Sequence, residues 1–135
     1  MKKKVFLDSG IFIALFLSSD RWHQEAKALF SVPSKYWSTS LLVVSESYSW
    51  FLHKLGEEPA RKFSSFLREL PNLELFEATT KHHRAVQRTL DKFRGTKLTY
   101  VDASSLTFLA EHKISTVWST DHHLGLSGAH VLPGR

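Results

Sequence analysis

Four acidic residues, far apart in the sequence, stand near the ends of short apolar runs or in the first turns of predicted helices. They are Asp8, Glu46, Asp102 and Asp121. Two carboxylates about 5 Å apart repel by roughly 3 kcal/mol at an effective dielectric of about 20. Four neighbouring carboxylates must therefore share protons or bind a cation. Oxygen ligands suit hard divalent ions, so the chemistry to expect is that of Mg²⁺ or Mn²⁺.

The elements that must position these acids follow from apolar periodicity. Strands are predicted near residues 5–7, 36–39, 73–76, 116–119 and 130–132, and helices near 11–17, 22–30, 41–55, 59–70, 80–93 and 101–112. Asp20 is expected to cap the second helix, and Pro33 and Ser34 to end it. Strands that alternate with helices predict an α/β fold with three layers: a central parallel sheet of about five strands and helices on both faces.

Such a sheet would bring the four acids to one edge. Asp8 follows the first strand, and Asp121 directly follows the fourth. Glu46 lies in the second turn of the helix after the second strand, and Asp102 opens the helix that leads into the fourth. Residues after parallel strands, and the first turns of the helices that return to them, lie at the same edge, where open α/β sheets bind ligands.

Each acid also has an ordinary structural explanation. Asp8 and Asp102 are suitable helix caps, Asp121 is a common turn residue, and Glu46 could simply face water. Their convergence on one edge is harder to explain by capping than by a shared cation.

Two pairs of adjacent histidines, at 82–83 and 122–123, raise the question of zinc. Neighbouring residues on a helix point in different directions, so neither pair has the spacing of a zinc site on its own. A zinc site is therefore not expected, although His122 or His123 could face a substrate.

Composition narrows the class of protein. The 135 residues are expected to form a single domain, 1–135. The absence of cysteine fits a reducing cytoplasm, and a net charge of +5 favours a polyanionic partner. Lysines precede the first apolar run as in a secretory signal, but Asp8 interrupts that run and no small-residue cleavage motif follows it, so neither a signal peptide nor a membrane span is expected.

A basic stripe indicates where a polyanion could bind. Lys81, Arg84, Arg88 and Lys92 follow one another at spacings of three, four and four residues, which places them on one helical face. Such a face can follow a phosphate backbone, whereas the alternative is an ordinary solvated helix surface.

The ordered set of motifs resembles the PIN-domain family of metal-dependent ribonucleases, particularly its VapC-like toxins. The matching segments are Val5-Phe6-Leu7-Asp8-Ser9, Val44-Ser45-Glu46, Leu98-Thr99-Tyr100-Val101-Asp102-Ala103 and Ser119-Thr120-Asp121. The chain departs from the family at His122-His123-Leu124, where members often have a basic residue, histidine and phenylalanine.

The resemblance implies a PIN-like fold and a function. It implies metal-binding and catalytic roles for Asp8, Glu46, Asp102 and Asp121, supported by Ser9, Ser105 and Thr120. It further implies Mg²⁺ or Mn²⁺ as cofactor, RNA as substrate, a small antitoxin as partner and a homodimer.

Two alternatives belong to other functional classes. A non-catalytic PIN-like module would bind RNA or a protein without cutting it, and such a module would not need all four acids. Phosphotransfer through a phospho-aspartate at Asp8 would require a second aspartate two residues later, where Gly10 stands instead.

Overall fold

A computed structural model describes residues 3–32 and 36–133. Its strands and helices alternate as the periodicity predicts. In chain order they are β1 Lys4–Leu7, α1 Ser9–Phe16, α2 His23–Phe30, β2 Tyr36–Ser40, α3 Leu41–Leu55, α4 Glu57–Glu69, β3 Leu73–Phe76, α5 Thr80–Lys92, α6 Tyr100–Glu111, β4 Thr116–Ser119, a 3₁₀ segment His122–Ser127 and β5 His130–Pro133.

The five strands form one parallel sheet in the order β3-β2-β1-β4-β5. The predicted parallel α/β sheet is confirmed. Crossovers between parallel strands are right-handed, so α1 to α4 cover one face and α5 and α6 the other. The order reverses between β1 and β4, and a crevice opens at such a reversal beyond the carboxyl ends of the strands.

Aromatic and aliphatic side chains fill the space beneath this crevice. Val5, Phe6 and Leu7 of β1 are buried, as expected for a central strand. The rings of Trp37 and Trp118 meet edge to face with centroids 5.0 Å apart. Both tryptophans are buried in the core. The central strands are thus fixed by packing on their neighbours.

Three helix starts differ in detail from the sequence predictions. α2 begins at His23, and Asp20 accepts a hydrogen bond from the backbone N–H of Trp22 (2.8 Å) ahead of the helix. α6 begins at Tyr100 and is capped by Thr99, so Asp102 is not its N-cap. α4 begins two residues before Pro59. Pro33 and Ser34, expected to end the second helix, lie outside the described residues.

None of the helices in the described ranges, 3–32 and 36–133, is both long enough and apolar enough to cross a membrane.

Candidate metal centre at the carboxyl edge of the sheet

Asp8 lies where β1 ends and α1 begins. Its side chain is almost entirely buried and accepts a hydrogen bond from the Ser119 hydroxyl, with 2.8 Å between Oγ and Oδ2. Burial is the main cause that raises the pKa of Asp8, to about 7. Hydrogen bonds from Ser119 and from the backbone of Ser9 oppose the shift, and the charges of Glu46 and Asp102 add to it. Asp8 occupies the N-cap position of α1 but makes no side-chain capping bond, so the alternative that explained it as a helix cap is not supported by a hydrogen bond.

Asp102 faces the same crevice from the first turn of α6. It is the third helical residue, and it forms a capping box with Thr99. Thr99 Oγ1 accepts from the Asp102 backbone N–H (3.0 Å), and Asp102 Oδ2 accepts from the Thr99 N–H at a longer 3.3 Å. Because that second bond is long, the carboxylate keeps most of its capacity to accept other donors.

Asp121 joins the crevice from the turn after β4. Its Oδ1 accepts from the backbone N–H of His123 (2.9 Å) and so caps the 3₁₀ segment. Its own backbone N–H donates to Ser119 Oγ (2.9 Å), the same hydroxyl that donates to Asp8. Ser119 therefore links the ends of β1 and β4 through one hydroxyl group.

Glu46 reaches the crevice from the second turn of α3. The residue as a whole is exposed, but its carboxyl end is partly buried near the other acids. This burial raises the pKa of Glu46, and the charges of Asp102 and Asp121 add to the rise. The side chain of Ser9 forms a hydrogen bond to the Glu46 carboxylate, which opposes it.

The structure thus brings the four predicted acids together at one edge of the sheet. One ligand atom each from Asp102, Asp121 and His123 lie within 4.8 Å of one another, a spacing that could hold a metal ion. Asp8 and Glu46 border this group and interact with it electrostatically. The roles of these acids in catalysis or metal binding remain predictions.

A comparison with protein-family models matches most of the chain. The family model of the PIN domain matches residues 5–125. The chain belongs to the PIN-domain family. A sequence comparison with curated proteins gave no match.

Solved structures share the fold of this PIN domain. The crystal structure of Mycobacterium tuberculosis VapC20, described as a toxin that cleaves the sarcin-ricin loop, has a TM-score of 0.84 at 19% identity, and the match covers 93% of this chain and 96% of that one. A toxin-antitoxin complex from Klebsiella pneumoniae has a TM-score of 0.66 at 18% identity, and the match covers 97% of this chain and 98% of that one. VapBC2 from Rickettsia felis, bound to a promoter DNA fragment, has a TM-score of 0.67 at 11% identity, and the match covers 95% of this chain and 96% of that one.

The residues at the PIN-domain crevice fit a divalent cation. Asp8 is buried and is repelled by the charges of Glu46 and Asp102, and a bound cation would offset this repulsion. Two buried polar atoms nearby, Ser105 Oγ and His123 Nδ1, have no hydrogen-bond partner among the described residues. The donors are mainly carboxylate oxygens, which hard divalent ions prefer.

The supporting residues lie in distinct places. Ser9 contacts Glu46, and Ser105 lies fully buried one turn along α6 from Asp102. Thr120 sits against α1, where a Cβ placed on Gly10 would come within 2.2 Å of Thr120 Oγ1. Gly10 therefore allows α1 to approach the end of β4 closely. An aspartate at this position, which phosphotransfer through Asp8 would need, would not fit without a rearrangement.

The predicted basic stripe lies along α5. Its four members are exposed in the PIN domain: Lys81, Arg84, Arg88 and Lys92. α5 is tied to α6 by His83 Nδ1 and the Tyr100 hydroxyl (2.8 Å) and by His82 Nε2 and Ser104 Oγ (2.6 Å). The start of α5 thus crosses α6: His83 reaches its first turn, whereas His82 lies further along, stacked on Phe108 with ring centroids 3.9 Å apart.

Two residues of the crevice, Ser119 and His123, were not assigned to the metal site from the sequence. Ser119 stands in one of the family-like motifs without an assigned role, and its bridging function depends on the turn after β4. His123 was expected at most to face a substrate, yet its Nδ1 lies 3.0 Å from Asp121 Oδ1. A usable signal was that each of these residues stands two positions from Asp121.

Proposed function

We propose that this PIN domain is a metal-dependent endoribonuclease and acts as the toxin of a toxin–antitoxin pair. The observation that carries the proposal is the convergence of Asp8, Glu46, Asp102 and Asp121 at the switch point of the sheet. A lone capping aspartate needs no acidic neighbours, whereas a cluster of acids is stabilised when a cation binds between them.

Asp8, Asp102 and Asp121 are the proposed metal ligands, and Glu46 acts as a further ligand or as a base through water. These residues would hold Mg²⁺ or Mn²⁺, which would supply activation of a water molecule and neutralisation of the charge that develops on the phosphate. The Ser119 hydroxyl fixes the orientation of the Asp8 carboxylate, and the capping box fixes that of Asp102. The protein thus contributes positioned carboxylates rather than a nucleophile of its own.

RNA is the proposed substrate, and the basic stripe on α5 is its proposed binding surface. Four exposed cations on one helix can neutralise phosphates along a strand. His83, next to Arg84, contacts Tyr100 in the first turn of α6, and this contact is the proposed route of a bound strand from the stripe towards Asp102.

A small antitoxin and a second copy of the chain are the proposed partners. The relatives from Klebsiella pneumoniae and Rickettsia felis are described as toxin–antitoxin assemblies, which supports an antitoxin for this chain. If the chain is a toxin, its expression in bacteria should arrest growth, and expression of Asp102→Asn should not. Equal growth with and without the unaltered chain would contradict the toxin role.

A metal titration tests the nuclease directly. Purified protein, stripped of metal with a chelator, should leave RNA oligonucleotides intact, and cleavage should appear as Mg²⁺ or Mn²⁺ is added. RNA binding without cleavage at any metal concentration would instead identify a non-catalytic PIN-like module.

A further inference from the structure

His123 stands among the acids rather than on the outer surface. Its side chain is 27% exposed, compared with 86% for its neighbour His122. Nδ1 of His123 lies 3.0 Å from Asp121 Oδ1 and 3.9 Å from Asp102 Oδ2. An imidazole nitrogen therefore shares the space between two carboxylates.

The backbone and its neighbours hold the His123 ring in this place. The His123 N–H donates to Asp121 Oδ1 (2.9 Å), and the next residue, Leu124, is fully buried. The ring also stacks on that of His122, with centroids 4.6 Å apart and planes 27° apart. The backbone hydrogen bond and the stacking contact restrict the imidazole, so that less freedom would be lost on binding a ligand.

Nδ1 of His123 is buried and has no hydrogen bond among the described residues, despite its short distance to Asp121. The contact therefore lacks hydrogen-bond alignment, although the distance is short enough. A neutral imidazole has a lone pair on one ring nitrogen, and that nitrogen can bind a metal.

We propose that His123 is a metal ligand of this PIN domain, and that its nitrogen makes the site select Mn²⁺ over Mg²⁺. The inference rests on the proposed function, because it concerns the metal of the same site. Mg²⁺ strongly prefers oxygen ligands in octahedral geometry, whereas first-row transition-metal ions also accept imidazole. A donor set of Asp102, Asp121 and His123 therefore favours the transition-metal ion.

Direct binding measurements test this proposal without relying on activity. Calorimetric titration of the metal-free protein should show tighter binding of Mn²⁺ than of Mg²⁺. In His123→Gln, Mn²⁺ affinity should fall by at least about tenfold, while Mg²⁺ affinity changes much less. Pulsed electron paramagnetic resonance of the Mn²⁺-loaded protein should show coupling to a ¹⁴N nucleus, and His123→Gln should lose it.

His53→Gln is the matched control, because it removes an exposed imidazole in the last turn of α3 and should leave both affinities and the ¹⁴N coupling unchanged. A ¹⁴N signal that persists in His123→Gln, or an unchanged ratio of Mn²⁺ to Mg²⁺ affinity, would overturn the proposal. Absence of binding of either metal would overturn it together with the metal site. Mn²⁺ binding through nitrogen without RNA cleavage would support the ligand and contradict only the nuclease.

Discussion

The surroundings of Asp8 disfavour the charged form of its carboxyl group. It is almost entirely buried, has acids beside it, and receives one side-chain hydrogen bond, from Ser119. Burial of a charge destabilises the folded state unless the charge is neutralised by a proton or a cation. The stability of the metal-free protein should therefore report directly on this residue.

Stability in a chelator should fall as the pH rises from about 4 to about 7. The native state keeps the Asp8 proton up to a pKa of about 7, while the unfolded chain loses it near the ordinary aspartate pKa of 3.8. Between these values the native state binds more protons, so the free energy of unfolding decreases with pH, by up to roughly 4 kcal/mol. Denaturant titrations at a series of pH values measure this slope.

Asp8→Asn should flatten that slope, because it removes the titrating group and keeps an oxygen to accept from Ser119. The variant should therefore be more stable than the unaltered protein at pH 8 in a chelator. Equal slopes for the two proteins would show that Asp8 is not the group responsible.

Ser119→Ala should weaken metal binding without removing a ligand. The hydroxyl donates to Asp8 and accepts from the backbone of Asp121, so its loss frees both groups to reorient. Loss of such an outer partner lowers metal affinity by about 10–100-fold. Calorimetry checks this result, and Ser31→Ala, on the exposed end of α2, is the control. An unchanged affinity in Ser119→Ala would contradict the bridging role.

Residue types and their order were enough to select the four acids, but not to describe their surroundings. Capping of α6 was the alternative structural explanation for Asp102, and the structure gives the N-cap position to Thr99. Thr99 and Asp102 can each serve in a capping box, and the choice depends on where the backbone enters the helix. The positions of Ser119 and His123 depend similarly on the turn after β4.

At the scale of elements, the junction of α1 and β4 depends on the absence of a side chain at residue 10. Gly10→Ala should destabilise the protein by about 1–3 kcal/mol, because the added Cβ would lie 2.2 Å from Thr120 Oγ1 and 3.2 Å from its backbone nitrogen. Thermal or denaturant unfolding measures the change. Gly125→Ala is the control, since its Cβ would make only an ordinary contact, 3.7 Å from Val131.

Thr120→Ala should restore part of the loss in the double variant. Removal of Oγ1 relieves the shortest contact, so the two substitutions together should cost less than their sum. Additive effects would show that the Thr120 hydroxyl is not what Gly10 accommodates.

The exposed face of α5 provides the second test at this scale. Arg84→Glu with Arg88→Glu should weaken RNA binding and lower the salt slope of affinity by about one for each phosphate that the protein no longer neutralises. The control is the double variant Lys62→Glu with Arg68→Glu. It changes the net charge by the same amount at two exposed positions of α4, a helix that packs mainly against α3. Fluorescence anisotropy at several salt concentrations compares the pairs. Equal effects of the two pairs would indicate a general charge effect.

At the scale of the whole molecule, the parallel sheet was predictable and the strand order was not. Alternating strands and helices indicate a parallel sheet, but they do not say which strands are neighbours. The reversal between β1 and β4 makes Asp8 and Asp121 follow adjacent strands. The cluster is therefore a product of topology, which tertiary packing decides and local periodicity does not encode.

The central claim is that this edge of the sheet binds a metal ion on which the RNA cleavage activity of the protein depends. Comparison of RNA cleavage in Mn²⁺ by the unaltered protein and by Asp8→Asn tests it most directly, because the substitution changes charge and hardly changes shape. The account predicts metal-dependent cleavage by the unaltered protein and none above background by the variant, with circular dichroism showing both folded. Undiminished cleavage by Asp8→Asn would contradict the account.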